Sequence, residues 1–426
     1  STPPACCLYN GSLVVRVFKA FEHRDFRLMW AGACTSSIGT WMQKLAQSWL
    51  VFELSKSPFL LGLDAFLGEI PILLFSLLGG AVADRRDRRH ILLVSQVVQM
   101  SCAFFLAFLI ATGAVQVWHI LGLSFVVGLA QAFGGPAYQA LIPSLVRGED
   151  LANAIALNSI QFNLARVIGP VLGGLALANL GAAWCFALNG VSFVAVMVTL
   201  LLLKVRYVPG YTTETLVDSM KEGLKFVRSH EAMPALIVLA LVMTMLGVPL
   251  GVFLPVFAAN VFHQGANTYT LLLSTLGCGS IAGALAVAGL SHRVPRGRAA
   301  LLALVALGAA MAGFSLSKAL PLSLVLLFLS GAFTVACFSL VSSLVQETTS
   351  DAMRGRVMSV YNVAFRGGMP IGSLITGALI PRMTAPLALA VNGVLLSILG
   401  ILYLTKQRGV VRLGFQTTAA RIVEER

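Results

Sequence analysis

Charge is scarce in this chain of 426 residues: Asp, Glu, Lys and Arg make up 11% of it, against 58% apolar residues. A water-soluble chain carries roughly 25% charged residues to cover its surface, so water is excluded as the main solvent and lipid takes its place. The seven cysteines show neither a disulfide framework nor a metal-ligand spacing, and five of them stand singly inside apolar segments (Cys34, Cys102, Cys185, Cys278 and Cys337). They read as small buried hydrophobes. No nucleophile, base and acid cluster together, which argues against a membrane enzyme. His23 and Asp25 precede the first apolar segment, and His119, His263 and His292 are scattered near loops, where histidine is usually solvated. No cofactor and no metal are expected. No long apolar stretch opens the chain, so its first 12 residues read as a tail and not as a secretory signal.

What the sequence does contain is long apolar runs. A helix crosses the hydrocarbon with about 20 predominantly apolar residues. Such runs fall at 28–52, 58–83, 91–112, 117–140, 152–178 and 183–203, then at 233–260, 268–291, 299–317, 320–344, 356–380 and 386–405. The basic residues test this layout, because Lys and Arg collect on the cytoplasmic side. With the N-terminus inside, 24 of the 30 fall in inner segments, from Arg16 and Lys19 through Arg206 and Arg293 to Arg421 and Arg426. Three lie in outer loops (Lys56, Lys318, Arg382) and three inside spans (Lys44, Arg166, Arg366). The expectation is an all-α polytopic membrane protein with 12 transmembrane helices and both termini cytoplasmic. That distribution also accounts for the net charge of +13 without a nucleic-acid partner.

Five regions follow: a cytoplasmic tail at 1–27, a six-helix bundle at 28–203, a cytoplasmic connection at 204–232, a second six-helix bundle at 233–405 and a cytoplasmic tail at 406–426. In the connection, Leu216, Met220, Leu224 and Val227 recur at helical spacing among charged residues, which reads as an amphipathic helix or as a plain linker. The two bundles repeat. SLVRGEDLANAIALNSIQFNLARVIGP from Ser144 echoes SLVQETTSDAMRGRVMSVYNVAFRGGMP from Ser343, and in each copy an Arg stands four residues before a Pro, Arg166 before Pro170 and Arg366 before Pro370. A weaker echo links GGAVADRRDRRHILL with AVAGLSHRVPRGRAALL. Two repeated six-helix halves around a midplane site describe a rocking transporter.

Ionisable groups in the hydrocarbon each require a reason. Only Asp64 and Glu69 among the acids fall well inside spans, both in the second. At 1.5 Å per residue Asp64 lies roughly 9 Å below the outer surface and Glu69 roughly 16 Å. Lys44 lies between them in depth, and Arg166 and Arg366 near Glu69. A carboxylate so placed can take a proton from one side and release it to the other; Glu69, just before the helix-distorting Pro71, is the leading candidate and Asp64 the second. The plainer alternative is a static ion pair of Lys44 with Asp64 or Glu69. Arg166 and Arg366 either organise helix packing or bind an anionic group of the substrate. Ser36, Ser37, Thr40, Trp41, Gln43 and Gln47 are too many for a lipid-facing first span and are expected to face a cavity, together with Asn158, Gln161 and Asn163 of the fifth. Pro249 and Pro255 predict a bent seventh span.

These segments carry a family resemblance. GGAVADRRDRR resembles the cytoplasmic signature of the major facilitator superfamily, with Gly80, Asp84, Arg85, Arg88 and Arg89 at matching positions and Asp87 where the family usually has a second Gly. RVIGPVLGG, with Arg166, Gly169, Pro170, Gly173 and Gly174, resembles the fifth-helix signature of proton-linked exporters. SSIGTWMQKLAQSWLVFELSKSP, PVFAANVFHQG and RGRVMS are similar to the branch holding the enterobactin exporter and related drug-efflux proteins. The resemblance implies the major facilitator fold, two pseudo-symmetric six-helix bundles in a cell inner membrane. It also implies a cytoplasmic latch of Asp84 and its arginines, with Arg356 as a partner and Glu69 near Arg366. The function it implies is proton-driven export of small amphipathic molecules, drug-like or siderophore-like, by a monomer whose partners are the bilayer, its substrate and protons. Lysophospholipid translocation, or a non-transporting sensor of the same fold, remain the alternatives.

Overall fold

The computed structural model describes residues 18–204, 216–289, 295–350, 353–406 and 408–413. Most of both tails, Cys6 and Cys7, His292, and Arg16, Arg206, Arg293, Arg421 and Arg426 of the basic set lie outside the described residues. The described residues form helices and loops and no strand. Six helices make the first half: α1 (Arg24–Ser55), α2 (Pro58–Arg85), α3 (Arg88–Ala111), α4 (Val117–Leu141), α5 (Leu151–Asn179) and α6 (Ala182–Leu202). A short helix, α7 (Leu216–Ser229), lies in the connection. The second half comprises α8 (Met233–Gly247), α9 (Pro249–Val252), α10 (Leu254–Asn260), α11 (Ala266–Ala288), α12 (Arg296–Leu316), α13 (Leu320–Glu347), α14 (Arg354–Met383) and α15 (Ala385–Lys406), and α16 (Arg408–Arg412) follows it. Helices suit a lipid solvent because each satisfies its own backbone donors and acceptors.

Local chemistry sets the boundaries. Lys56 turns left-handed (φ 50°) to end α1, and Ser57 then caps α2 by accepting from the Leu60 amide, with Pro58 at the first helical position. Asp87 caps α3 through the Arg89 amide (2.9 Å). The seventh run is interrupted between α8, α9 and α10, where Pro249 and Pro255 each lack the amide hydrogen that would continue the ladder. It is a broken helix, as its prolines predict.

Among the described residues, eleven segments are long and apolar enough to cross a membrane, so the chain is a multi-span membrane protein. The first run is the exception: α1 has 32 residues, enough length, but charged and polar residues spread along it, Arg24, Asp25, Arg27, Gln43, Lys44 and Gln47 among them, lower its apolarity.

Packing repeats with the sequence. In the first half α1 contacts α5 and α6, α3 contacts α4 and α6, and α2 lies along α4. In the second, α8 contacts α14 and α15, α12 contacts α13 and α15, and α11 lies along α13. The halves meet along two seams, α2 against α14 and α5 against α11, and exchanging the halves turns one seam into the other. Both seams close on small residues at the ends away from the arginine-rich loops. A Cβ added at Gly377 would come within 3.0 Å of the Pro58 carbonyl oxygen, and one at Gly62 within 3.3 Å of the Gly377 Cα. At the other seam, Gly174 abuts the Thr270 side chain.

Candidate functional site

Glu69 occupies the space between the halves. Its carboxylate lies 4.0 Å from the Lys44 ammonium of α1 and 4.0 Å from the Arg366 guanidinium of α14, with 30% of the Glu69 side chain exposed. One acid thus faces a cation from its own half and a cation from the other. Lys44 also lies 5.2 Å from the centre of the Trp41 ring, and the Arg166 guanidinium 5.7 Å from the same ring. Phe162 meets Trp41 edge-on at 6.1 Å. The result is a continuous row, Arg166, Trp41, Lys44, Glu69 and Arg366, running from α5 through α1 and α2 to α14.

The glycines of the fifth-helix motif position this row. Gly169 of α5 sits against the Trp41 Cβ, and a Cβ added at Gly173 would come within 3.0 Å of the Met42 Cα. Any larger residue would push α5 off α1 and carry Trp41 with it. Gly174 serves the α5 and α11 seam instead, and Pro170 is buried within α5.

Asp64 is sequestered. It is 7% exposed and accepts from Gln47 Nε2 at both oxygens (3.1 and 3.0 Å) and from the Ser124 hydroxyl at 2.5 Å. Gln47 also donates to Ser124 at 2.9 Å, closing a triangle across α1, α2 and α4. The ion pair weighed for Asp64 with Lys44 is not formed, because Lys44 pairs with Glu69. Ser124 was missed by sequence reasoning; a lone Ser in an apolar span gives no signal until its facing partner is known.

Several of the residues expected at a cavity make hydrogen bonds within the first half. Gln161 is buried and donates to the Ala33 carbonyl at 3.1 Å. Asn158 accepts from the Tyr138 hydroxyl at 2.5 Å, and Gln43 accepts from Asn189 at 2.6 Å. Gln47 belongs to the Asp64 triangle, and Ser36 is buried. These polar groups link helices because an unpaired amide in an apolar interior costs more than the link itself. Trp41, Ser37, Thr40, Gln43, Gln47 and Asn158 are half-buried.

At the arginine-rich end, Arg88 donates to the Ala140 carbonyl (2.8 Å) and to the Ala83 carbonyl (3.3 Å), and lies 3.8 Å from Asp84. Arg89 donates to the Leu203 and Leu201 carbonyls (3.2 and 2.8 Å). Both arginines therefore cap carbonyl ends of neighbouring helices, where a cation also meets the negative end of the helix dipole. Gly80 and Arg85 lie on the same end of α2, half-buried and exposed respectively. Arg356 pairs with Glu222 of α7, a contact not anticipated from the sequence, and α7 packs against α14. His23, expected at a solvated position, lies 2.9 Å from Asp150, which also pairs with Lys19 at 2.9 Å. The hydrogen bond to His23 and then that to Lys19 hold the Asp150 carboxyl below the usual carboxylate range, and Asp150 raises Lys19.

Among the described residues no group of three or more His, Cys, Asp or Glu could hold a metal ion. The arrangement sets one carboxylate between two cations across the α2 and α14 seam, beside the Trp41 ring and Arg166.

Comparison with known proteins gives the same class of molecule. Residues 16–412 match a family model described as a transmembrane secretion effector. The chain is 27% identical over 384 residues to the enterobactin exporter EntS of Citrobacter koseri, covering 89% of this chain and 91% of that one. It is 26% identical over 358 residues to the multidrug efflux pump Tap of Mycolicibacterium fortuitum, covering 82% and 87%. Among solved structures, the nucleoside transporter NupG superposes with a TM-score of 0.71 at 12% identity, covering 90% of this chain and 99% of that one. A bacterial homologue of the human lysosomal transporter Spinster superposes at 0.71 and 15% identity, covering 93% and 98%.

Proposed function

We propose, because the chain belongs to the transmembrane secretion effector family of the major facilitator superfamily, that it exports small amphipathic molecules by alternating access. In this reading α1 is a twelfth span, the arginine-rich end faces the cytoplasm with both termini, and residues 28–203 and 233–405 rock about the central row. The efflux relatives support the direction of transport, drug-like or siderophore-like compounds being the substrates their names imply.

The observation that carries the reading is the sharing of Glu69 between Lys44 and Arg366. A proton that enters from outside neutralises Glu69 and releases Arg366, so the electrostatic tie across the α2 and α14 seam is lost. Deprotonation toward the cytoplasm restores it. Proton antiport follows if substrate leaves during the other half of that cycle. Asp64 is the second candidate for the proton, but its triangle belongs to one half alone and does not report on the seam. Asp84, Arg88 and Arg89 brace helix ends at the cytoplasmic face, and Arg356 exchanges between Glu222 and the α2 end as the face opens and closes.

The test is efflux from proteoliposomes with and without an imposed proton gradient, for the natural chain, Glu69→Gln and Asp64→Asn side by side. Gradient-dependent efflux lost only in Glu69→Gln is the expected result. Survival of the gradient dependence in that variant would move coupling elsewhere. No transport by folded protein would turn the assignment toward lipid substrates or a sensor.

A further inference from the structure

The two embedded arginines are equivalent in sequence and unequal in company. Each stands four residues before a proline in its repeat, Arg166 before Pro170 in α5 and Arg366 before Pro370 in α14. Each belongs to a helix that packs against a helix of the other half: α14 against α2, α5 against α11. At the first seam α2 supplies Glu69, 4.0 Å from Arg366. At the second, α11 (Ala266–Ala288) reads ANTYTLLLSTLGCGSIAGALAVA and contains no Asp or Glu at all. The α11 residue opposite the turn that carries Arg166 is Gly277, where an added Cβ would lie 3.2 Å from Val167 and 3.5 Å from the Arg166 carbonyl oxygen.

Among the described residues, the Arg166 guanidinium has no carboxylate within ion-pair distance and no hydrogen-bond acceptor, and it lies over the Trp41 ring. An embedded guanidinium is retained at a cost when it lacks a counter-charge. The neighbourhood does not relieve it. Lys44 and Arg366 already share Glu69, so the row holds three cations against one carboxylate. What the row does present beside Arg166 is aromatic surface, Trp41 with Phe162 edge-on to it, and 51% of Phe162 is exposed. A planar guanidinium over an indole ring, with a half-exposed Phe162 beyond that ring, matches a ligand that carries a carboxylate, phenolate or sulfonate on an aromatic body.

We infer that Arg166 is the anion subsite of the central row, so that the exported molecules are aromatic anions and lipophilic cations are disfavoured. The substrate's anionic group takes the place on Arg166 that Glu69 takes on Arg366. This rests on the exporter reading above and narrows its substrate class. Glu69 stays with Lys44 and Arg366 while the anion binds, so the two charges occupy separate subsites. Export of an anion against an entering proton also moves positive charge inward on both counts, so the exchange is electrogenic.

Two xanthene dyes of opposite charge, carboxyfluorescein and rhodamine 6G, test the inference in proteoliposomes, with protein-free liposomes subtracted. Carboxyfluorescein efflux is expected to exceed that of rhodamine 6G, and a potassium diffusion potential set by valinomycin should accelerate it. Arg166→Gln is expected to weaken the apparent affinity for carboxyfluorescein about tenfold, the loss of one charge-assisted contact. Arg166→Lys, which keeps the charge, should lose less and serves if the Gln variant does not fold. Preference for rhodamine 6G, or carboxyfluorescein efflux unchanged in Arg166→Gln, overturns the anion assignment and leaves the exporter standing. Neither dye moved by folded protein sinks the exporter reading and the inference with it.

Discussion

Neutralising Glu69 is the perturbation with the most to reveal, because its two partners act on different equilibria. At 4.0 Å and an effective dielectric constant of about 20, each pair is worth ~4 kcal/mol before solvation. The Lys44 side chain is 57% exposed and that of Arg366 45%. Water screening at such exposure leaves about 1 kcal/mol per pair. Lys44 and Glu69 both belong to the first half, so in the proposed rocking of the halves they stay together and their pair supports folding alone. Arg366 belongs to α14, so its pair is made or broken with the seam. Glu69→Gln should therefore cost ~1 kcal/mol of stability and shift the balance toward separation of α2 and α14 about fivefold. The assay is a double-mutant cycle with Arg366→Gln, reading seam populations from spin-label distances between the arginine-rich ends of α2 and α14. A coupling near 1 kcal/mol is expected. Effects of the two substitutions that add to within about 0.3 kcal/mol would refute the reasoning, because two groups that do not interact behave that way.

Three other predictions follow from the same geometry. Asp64→Ala strands the Ser124 hydroxyl, leaves the Gln47 amide with Ser124 as its acceptor, and should destabilise the first half by about 2 kcal/mol, whereas Asp64→Asn, which keeps an acceptor oxygen, should cost less; chemical denaturation in detergent distinguishes them. Gly377→Leu places a side chain against the Pro58 carbonyl and should abolish transport while the protein still elutes as a folded species, since only seam closure is blocked; normal efflux would rule out a moving seam at that position. The Asp150 carboxyl is held low by His23 and Lys19, so its stabilising contribution is complete above the unfolded pKa of about 3.9 and is lost as pH falls through the depressed folded value. Amide protection at Lys19–Glu22, taken relative to the intrinsic exchange rate at each pH, should fall in that acid window, and at neutral pH in Asp150→Asn. Exchange that is unaffected by the substitution would show that the segment is held by other contacts.

Much of the architecture was legible from one dimension. Apolar runs of membrane length and the one-sided distribution of Lys and Arg are sums over neighbours in sequence, and they survive any rotation of a helix about its axis. The repeat was legible for the same reason. It made Arg166 and Arg366 equivalent before any coordinate was known, and Pro249 with Pro255 announced the break of the seventh run. Lys44, Glu69 and Arg366 stood out because ionised groups are so rare in the spans that a short list contains the pairs.

Which groups meet was left to the tertiary structure. Gln161 and Asn158 carry the same amide chemistry as a cavity-lining residue, and only the rotation of α5 against α1 and α4 turns them to Ala33 and Tyr138. Asp64 and Glu69 lie five residues apart on one helix, on different faces, so one is enclosed by Ser124 and the other stands open between two cations. Among the described residues Arg166 has no carboxylate within ion-pair distance, because α11, and not α2, lies across its seam. By itself the sequence determined a helical membrane protein of repeated halves, since hydropathy, charge asymmetry and repetition are additive along the chain. The tertiary structure alone decided the pairing of its embedded charges, since ion pairs and hydrogen bonds depend on distances of a few ångströms between helices far apart in sequence.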